Sequence, residues 1–232
     1  MANYKILRKV YQIMLILLLI FFTFLMIRLS VPYIGLETDV AFLRIKQWVF
    51  RTFEGWPATI WIIAFFIHVF TSIFSVIAGF TQFNRNLLWG KIHRTFGKIY
   101  IIAVLLFAAP TGFVMGIFAN GGWISITAFI LLALLWWYFT FEAYRSVRKK
   151  NFDRHARFMY LSYALTLSAI TLRLWKFMFA NLEFNIPPMD LYRIVAWLGW
   201  VPNLAVALVL IYFKNHQRLL GKARRVKSNQ FD

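Results

Sequence analysis

Six long apolar runs decide what this chain can become. They cover residues 11–29, 57–83, 99–119, 123–144, 158–180 and 191–213. A hydrocarbon layer of ~30 Å takes about 20 helical residues to cross, and every run is of that order or longer. Composition points the same way. The chain is 61% hydrophobic and 15% charged, against roughly 45–50% and about 25% in soluble chains. The expected fold class is all-α: one polytopic membrane helix bundle over residues 1–232, with six transmembrane helices. Lys5, Arg8 and Lys9 precede the first run as in a signal peptide. That run is too long for an h-region and no small-residue cleavage site follows, so it reads as a retained helix.

A net charge of +18 suggests nucleic acid in a soluble protein; in a membrane protein its distribution matters first. Segments 1–10, 84–98, 145–157 and 214–232 hold 3, 4, 6 and 6 Lys/Arg residues, 19 of the 26, and alternate connections place them on one side. The opposite side carries Arg44, Lys46, Arg51 and Arg193 with five of the eight acids. By the positive-inside rule both termini are cytoplasmic, in a bacterial inner membrane. Nucleic acid is not an expected partner; membrane lipids are.

The long outer connection carries Phe42, Ile45 and Val49 on one helical face and Arg44, Gln47 and Arg51 on another. It reads as a helix in the outer interface or one packed on the bundle. The basic tail reads as a lipid-headgroup contact or as a solvated end, and His216 as solvated. The chain has no cysteine, which excludes a disulfide, an iron–sulfur cluster, a covalently attached or thiolate-ligated haem and a cysteine nucleophile. HExxH, P-loop and GxSxG motifs are absent too.

Polar residues inside the runs are costly and single themselves out. His68, Ser72, Ser75, Gly79 and Gln82 share one helical face, and so do His155, Met159, Ser162, Thr166 and Arg173. At 1.5 Å per residue, His68 lies roughly 21 Å from Gln82, and Arg173 about 27 Å from His155. A cavity bordered by His68 and Arg173 in the outer half of the membrane follows, with Lys176 snorkelling to the interface. His93 and His155 begin their helices at the same cytoplasmic level, the layout that a bis-imidazole b-type haem needs. Arg94 and Arg157 would sit near its propionates. A solvated loop pair is the plain alternative. Glu142 is expected to pair with Arg145 at i+3. Gly112 and Gly116 mark close helix packing. Pro110 and Pro202 are expected to kink their helices, with Asn203 supplying a partner to the freed backbone.

Several residues recur in one order: His68, Gly79, Gln82-Phe83 with Arg85, His93-Arg94 with Gly97 and Tyr100, Pro110 with Gly112, Trp136-Trp137, Arg154-His155 with Arg157 and Met159, and Leu172-Arg173. Over about residues 60–175 the series resembles a bacterial family of predicted multi-pass membrane proteins whose domain has no assigned function. Phe158 stands where that pattern has Trp. The resemblance implies the helical membrane architecture and highlights His68, Gln82, Arg85, His93, Arg94, His155 and Arg173, without a reaction. A more distant likeness to ascorbate-reducing b-type cytochromes rests on helix count and His placement, and the second His pair of that group is missing.

Two functions compete. One is a redox or electron-transfer protein with haem at His93 and His155, an outer His68/Arg173 pocket for a quinone or another anionic or polar small molecule, and Gln82 and Arg85 as further ligand-pocket residues. The other is a non-enzymatic transporter, lipid-binding or accessory protein whose Arg/His cluster holds lipid phosphate. The scarcity of membrane carboxylates argues against a proton-driven pump.

Overall fold

In the computed structural model, residues 55–83, 90–182 and 186–228 are described throughout, with 23–28, 30–35 and positions 10, 14, 17, 20, 21 and 46 before them. Every regular element among them is helical. We number them α1 (Trp56–Gln82), α2 (Lys91–Ile117), α3 (Trp123–Arg148), α4 (Phe152–Thr166), α5 (Ser168–Asn181), α6 (Pro188–Leu198), α7 (Val201–Tyr212) and α8 (Asn215–Ser228). Most of the first apolar run and of the outer connection lies outside the described residues, as does Arg85.

Among the described residues, four helical stretches are long and apolar enough to cross a bilayer: Pro57–Gly79, Lys91–Ile117, Trp123–Arg148 and Pro188–Tyr212. The 158–180 run differs from its expectation as one helix. It is divided at Leu167 into α4 and α5. Hydroxyls on both sides of the division lie 3.1 Å from carbonyls four residues earlier, Thr166 from Ser162 O and Thr171 from Leu167 O, a placement found where helices bend. The 191–213 run is also divided, between α6 and α7, because Pro202 cannot donate to the carbonyl four residues before it.

The two divisions are stitched together. Asn203 Nδ2 donates to Ala164 O at 3.2 Å and to Thr171 Oγ1 at 3.0 Å, and Thr171 Oγ1 donates to Gly199 O. Irregular backbone at membrane depth is tolerated where it is buried in protein, and Trp200 beside it is buried.

Pro110 acts differently from a simple kink. Residues Ala103–Ala108 form a π-helical segment within α2, so the N–H of Ala109 reaches back five residues to Val104 O. In that register the missing N–H of Pro110 leaves Leu105 O open, and Trp137 Nε1 of α3 donates to it at 3.2 Å.

Helices α1, α2, α3 and α4 pack in succession and α4 closes back on α1; α6 then covers α3 and α5, and α7 covers α4. The core joins Tyr100, Val104, Trp136, Met159, Tyr163, Leu165 and Trp200. Gly79 makes the α1–α4 contact possible, since a Cβ there would lie 1.9 Å from the Tyr163 ring. The α2–α3 turn needs the left-handed backbone of Gly121 (φ 86°) and Gly122 (φ 70°). Large apolar side chains such as Leu106, Phe74 and Val206 remain more than half exposed. In water that surface would aggregate; against lipid tails it is the stable arrangement.

Candidate functional site

Two histidines lie at the end of the bundle that the charge distribution predicts to be the inner one. Gly90 is extended and α2 starts immediately after it, which puts His93 in the first turn. The Asn151 side chain caps α4 by accepting from the backbone N–H of Arg154 at 3.0 Å, and His155 falls in that first turn. His155 Nδ1 lies 2.8 Å from Ala143 O of α3. A carbonyl only accepts, so Nδ1 carries the hydrogen and Nε2 keeps a lone pair. His93 Nδ1 is buried without a hydrogen-bond partner.

Both rings border one cavity of about 390 Å³, with Gln82, Phe83, Arg94, Met159 and Tyr160, and Leu219 and Leu220 of α8 on its wall. Gln82 therefore belongs to this inner cavity, where its Nε2 donates to Thr81 Oγ1 at 2.8 Å and His93 O at 3.3 Å. Of the described Arg and Lys neighbours, Arg94 alone borders the cavity. Arg157 pairs with Asp153 at 2.6 Å. Arg154 and Arg145 both hold the buried Glu142, at 2.7 and 3.0 Å.

His216 corrects the solvated reading. It is 1% exposed and lies 3.3 Å from both Asp153 Oδ1 and Arg157 Nε. The tail helix folds back onto α4, which local hydropathy does not reveal.

Among the described residues no group of three or more His, Asp or Glu gathers as a metal cage. A haem brings four nitrogens of its own and asks the protein for two axial imidazoles. His93 and His155 could supply such a pair: they come from separate helices and border one cavity, and the Ala143 carbonyl leaves Nε2 of His155 with its lone pair.

A second cavity, of about 240 Å³, lies toward the other end and is bordered by His68, Arg173, Lys176 and Lys46. His68 Nδ1 bonds Ala108 O at 2.8 Å, so Nε2 is again the free nitrogen. Gly112 gives this ring its seat, since a Cβ there would approach His68 Cε1 to 3.0 Å. Gly116, one turn on, instead fits the α3 backbone at Phe129–Ile130, 3.3 Å away. Arg173 Nη1 donates to Ala169 O at 2.5 Å, and Lys176 Nζ lies 5.7 Å over the Tyr192 ring.

Lys46 was visible in the sequence only as one charge of the outer connection. It is 3% exposed, and its ammonium donates to Phe118 O and to Asn120 Oδ1 at 2.9 Å. Burial pushes it down to about 8. Burial also raises the Tyr33 phenol, which the Arg173 guanidinium pulls back. No local signal marks either residue, because both are brought in by long-range packing.

Between the cavities lies a fully buried hydroxyl cluster. Tyr100 OH sits 2.7 Å from both Ser162 Oγ and Thr166 Oγ1. Thr140 Oγ1 sits 2.6 Å from Ser162 Oγ and 2.7 Å from Trp136 O. Thr166 Oγ1 reaches Ser162 O at 3.1 Å and accepts from Trp136 Nε1 at 3.0 Å. Thr166 and Trp136 also border the outer cavity. One face of α4 thus carries His155 and Met159 to the inner cavity, Ser162 to the cluster and Thr166 to the outer cavity.

A family model described as "Predicted membrane protein (DUF2306)" matches residues 65–211. That stretch contains every described residue of both cavities named above except Lys46, Leu219 and Leu220. No curated protein and no solved structure matches the chain.

Proposed function

The chain belongs to this family of predicted membrane proteins (DUF2306), and from that premise we propose a six-span electron-transfer protein of the bacterial inner membrane. Both termini are cytoplasmic, one b-type haem is held by His93 and His155, and a small-molecule site surrounds His68 and Arg173. The observation that carries the reading is the pair of imidazoles from separate helices on one cavity, one of them fixed by Ala143 O at 2.8 Å.

The residues divide the work. The Ala143 carbonyl orients His155 and raises the basicity of its Nε2. Arg94, on the cavity wall, is the group available to pair with propionate carboxylates, and Arg157, occupied by Asp153, is not. Leu219 and Leu220 exclude water from the cytoplasmic side. When bound, the haem supplies a one-electron couple near that membrane face.

An absorption spectrum of the detergent-purified full chain tests this. A Soret band that shifts with dithionite, and that is lost in His93→Ala and His155→Ala proteins of unchanged elution volume, is the expected result. A colourless protein overturns it.

One observation favours a second reading, a lipid-binding or accessory protein. The described lining of the inner cavity includes Arg94 and no carboxylate, which also suits a lipid phosphate. A colourless preparation that retains anionic phospholipid, and loses it in Arg85→Ala plus Arg94→Ala, would establish that alternative.

A further inference from the structure

The chemistry of the outer cavity narrows its ligand. Arg173, Lys176, Lys46 and His68 border it, and no described Asp or Glu does. Arg173 offers five N–H donors, yet among the described residues its one hydrogen bond runs to Ala169 O within its own helix. No described carboxylate lies within ion-pairing distance of it. A guanidinium at membrane depth with no counter-charge among the described residues is costly, and an anionic ligand would relieve it.

Three further features converge there. Ser168 and Ala169, the first residues of α5, border the cavity one turn before Arg173. Ser72, 7% exposed and on the same wall, has a hydroxyl with no partner. Most of the rest of the lining is apolar, Met26, Val69 and Leu132 among it, with Ser30, Thr166 and Tyr192 as the other polar side chains.

We propose that the outer cavity holds a lipophilic anion, a compact carboxylate or phosphate-monoester head on one apolar chain. The head lies against Arg173 and the start of α5, and the chain runs among the apolar side chains. This rests on the outer cavity being a small-molecule site; it does not depend on haem.

The cavity walls include Trp61 and Trp136, so binding is readable by fluorescence quenching. The full chain in phosphatidylcholine nanodiscs is titrated with ω-bromodecanoate, ω-bromodecyl phosphate and ω-bromodecanol. Saturable quenching by at least one of the two acids is expected, with the alcohol at least about ten-fold weaker, the value of a charge-assisted hydrogen bond or more. Arg173→Gln should weaken the acid by a similar factor of about ten and leave the alcohol unchanged. Equal binding of acid and alcohol, or an unchanged acid affinity in Arg173→Gln, overturns the anion assignment while the small-molecule site stands. No saturable quenching by any probe overturns the site as well.

If Arg173→Gln does not fold, Lys176→Gln, at an exposed position, carries the same expectation at about three-fold and the same refutation. Repeating the titration with phosphatidylglycerol in the nanodisc separates the sources. Competition supports a bilayer lipid as the anion, and its absence supports a free acid.

Discussion

Thr166 shows how tightly the interior is specified. Four hydroxyl protons, on Tyr100, Thr140, Ser162 and Thr166, serve five contacts: Tyr100–Ser162, Tyr100–Thr166, Thr140–Ser162, Thr140–Trp136 O and Thr166–Ser162 O. At least one contact is always unfilled, and when the gap falls at either end of the series the chain is unbroken, which gives two opposite orientations. One runs from Thr166 through Tyr100 and Ser162 to Thr140 and the Trp136 carbonyl. The other runs back from Thr140 and ends on the Ser162 carbonyl. Removing the Tyr100 hydroxyl leaves three protons with three acceptors and no buried donor stranded. Removing the Thr166 hydroxyl takes the 3.0 Å acceptor from Trp136 Nε1 and leaves it only the long bond to Tyr100 OH at 3.4 Å. Tyr100→Phe should therefore cost less than about 1 kcal/mol and Thr166→Val about 1–3 kcal/mol. Unfolding in mixed micelles followed by tryptophan fluorescence would rank them, and the reverse order would refute the proton count.

Helix α8 depends on a titratable contact. Its His216 is packed on α4 between Asp153 and Arg157, and Gln217 Nε2 donates to Asp153 Oδ1 at 3.0 Å. Burial holds the imidazole below its ordinary 6.5, Asp153 pulls it upward and Arg157 downward. A ring of lowered affinity takes its proton more readily when undocked. Docking is therefore complete above the ordinary value and weakens as the pH falls below it. Amide exchange over residues 215–220 of the full chain, corrected for intrinsic rates, should accelerate between about pH 7.5 and about pH 5. A His216→Gln chain should lose that dependence. Since Leu219 and Leu220 wall the inner cavity, the same acidification should open it. The divided helices teach a related lesson. Pro202 announced the α6–α7 division in the sequence, and Asn203 stands where it was expected to help. The α4–α5 division carries no Pro or Gly, and its hydroxyl placement shows only in the folded chain.

The proposed topology is directly testable because the chain has no cysteine. Single substitutions Lys149→Cys and Leu182→Cys, at exposed positions on successive connections, should differ in intact cells. A membrane-impermeant maleimide should label Leu182→Cys and spare Lys149→Cys; the opposite pattern would invert the bundle. The apolar runs, the helical class and the pairing of Glu142 with Arg145 were all legible in advance. They depend on composition within about 20 residues or on neighbours one helical turn apart. The polar stripes on the second and fifth runs were legible for the same reason. Which cavity each stripe residue joins was not: Gln82 shares a helical face with His68 but sits a membrane half away, beside His93. Nor was the burial of Lys46 and His216, whose partners lie 72 and 59–63 positions distant in sequence. Hydropathy and periodicity are sums over adjacent residues, so they settle how the chain partitions into a bilayer. Cavities, proton-sharing clusters and buried charges arise from contacts between helices, and only their packing creates them.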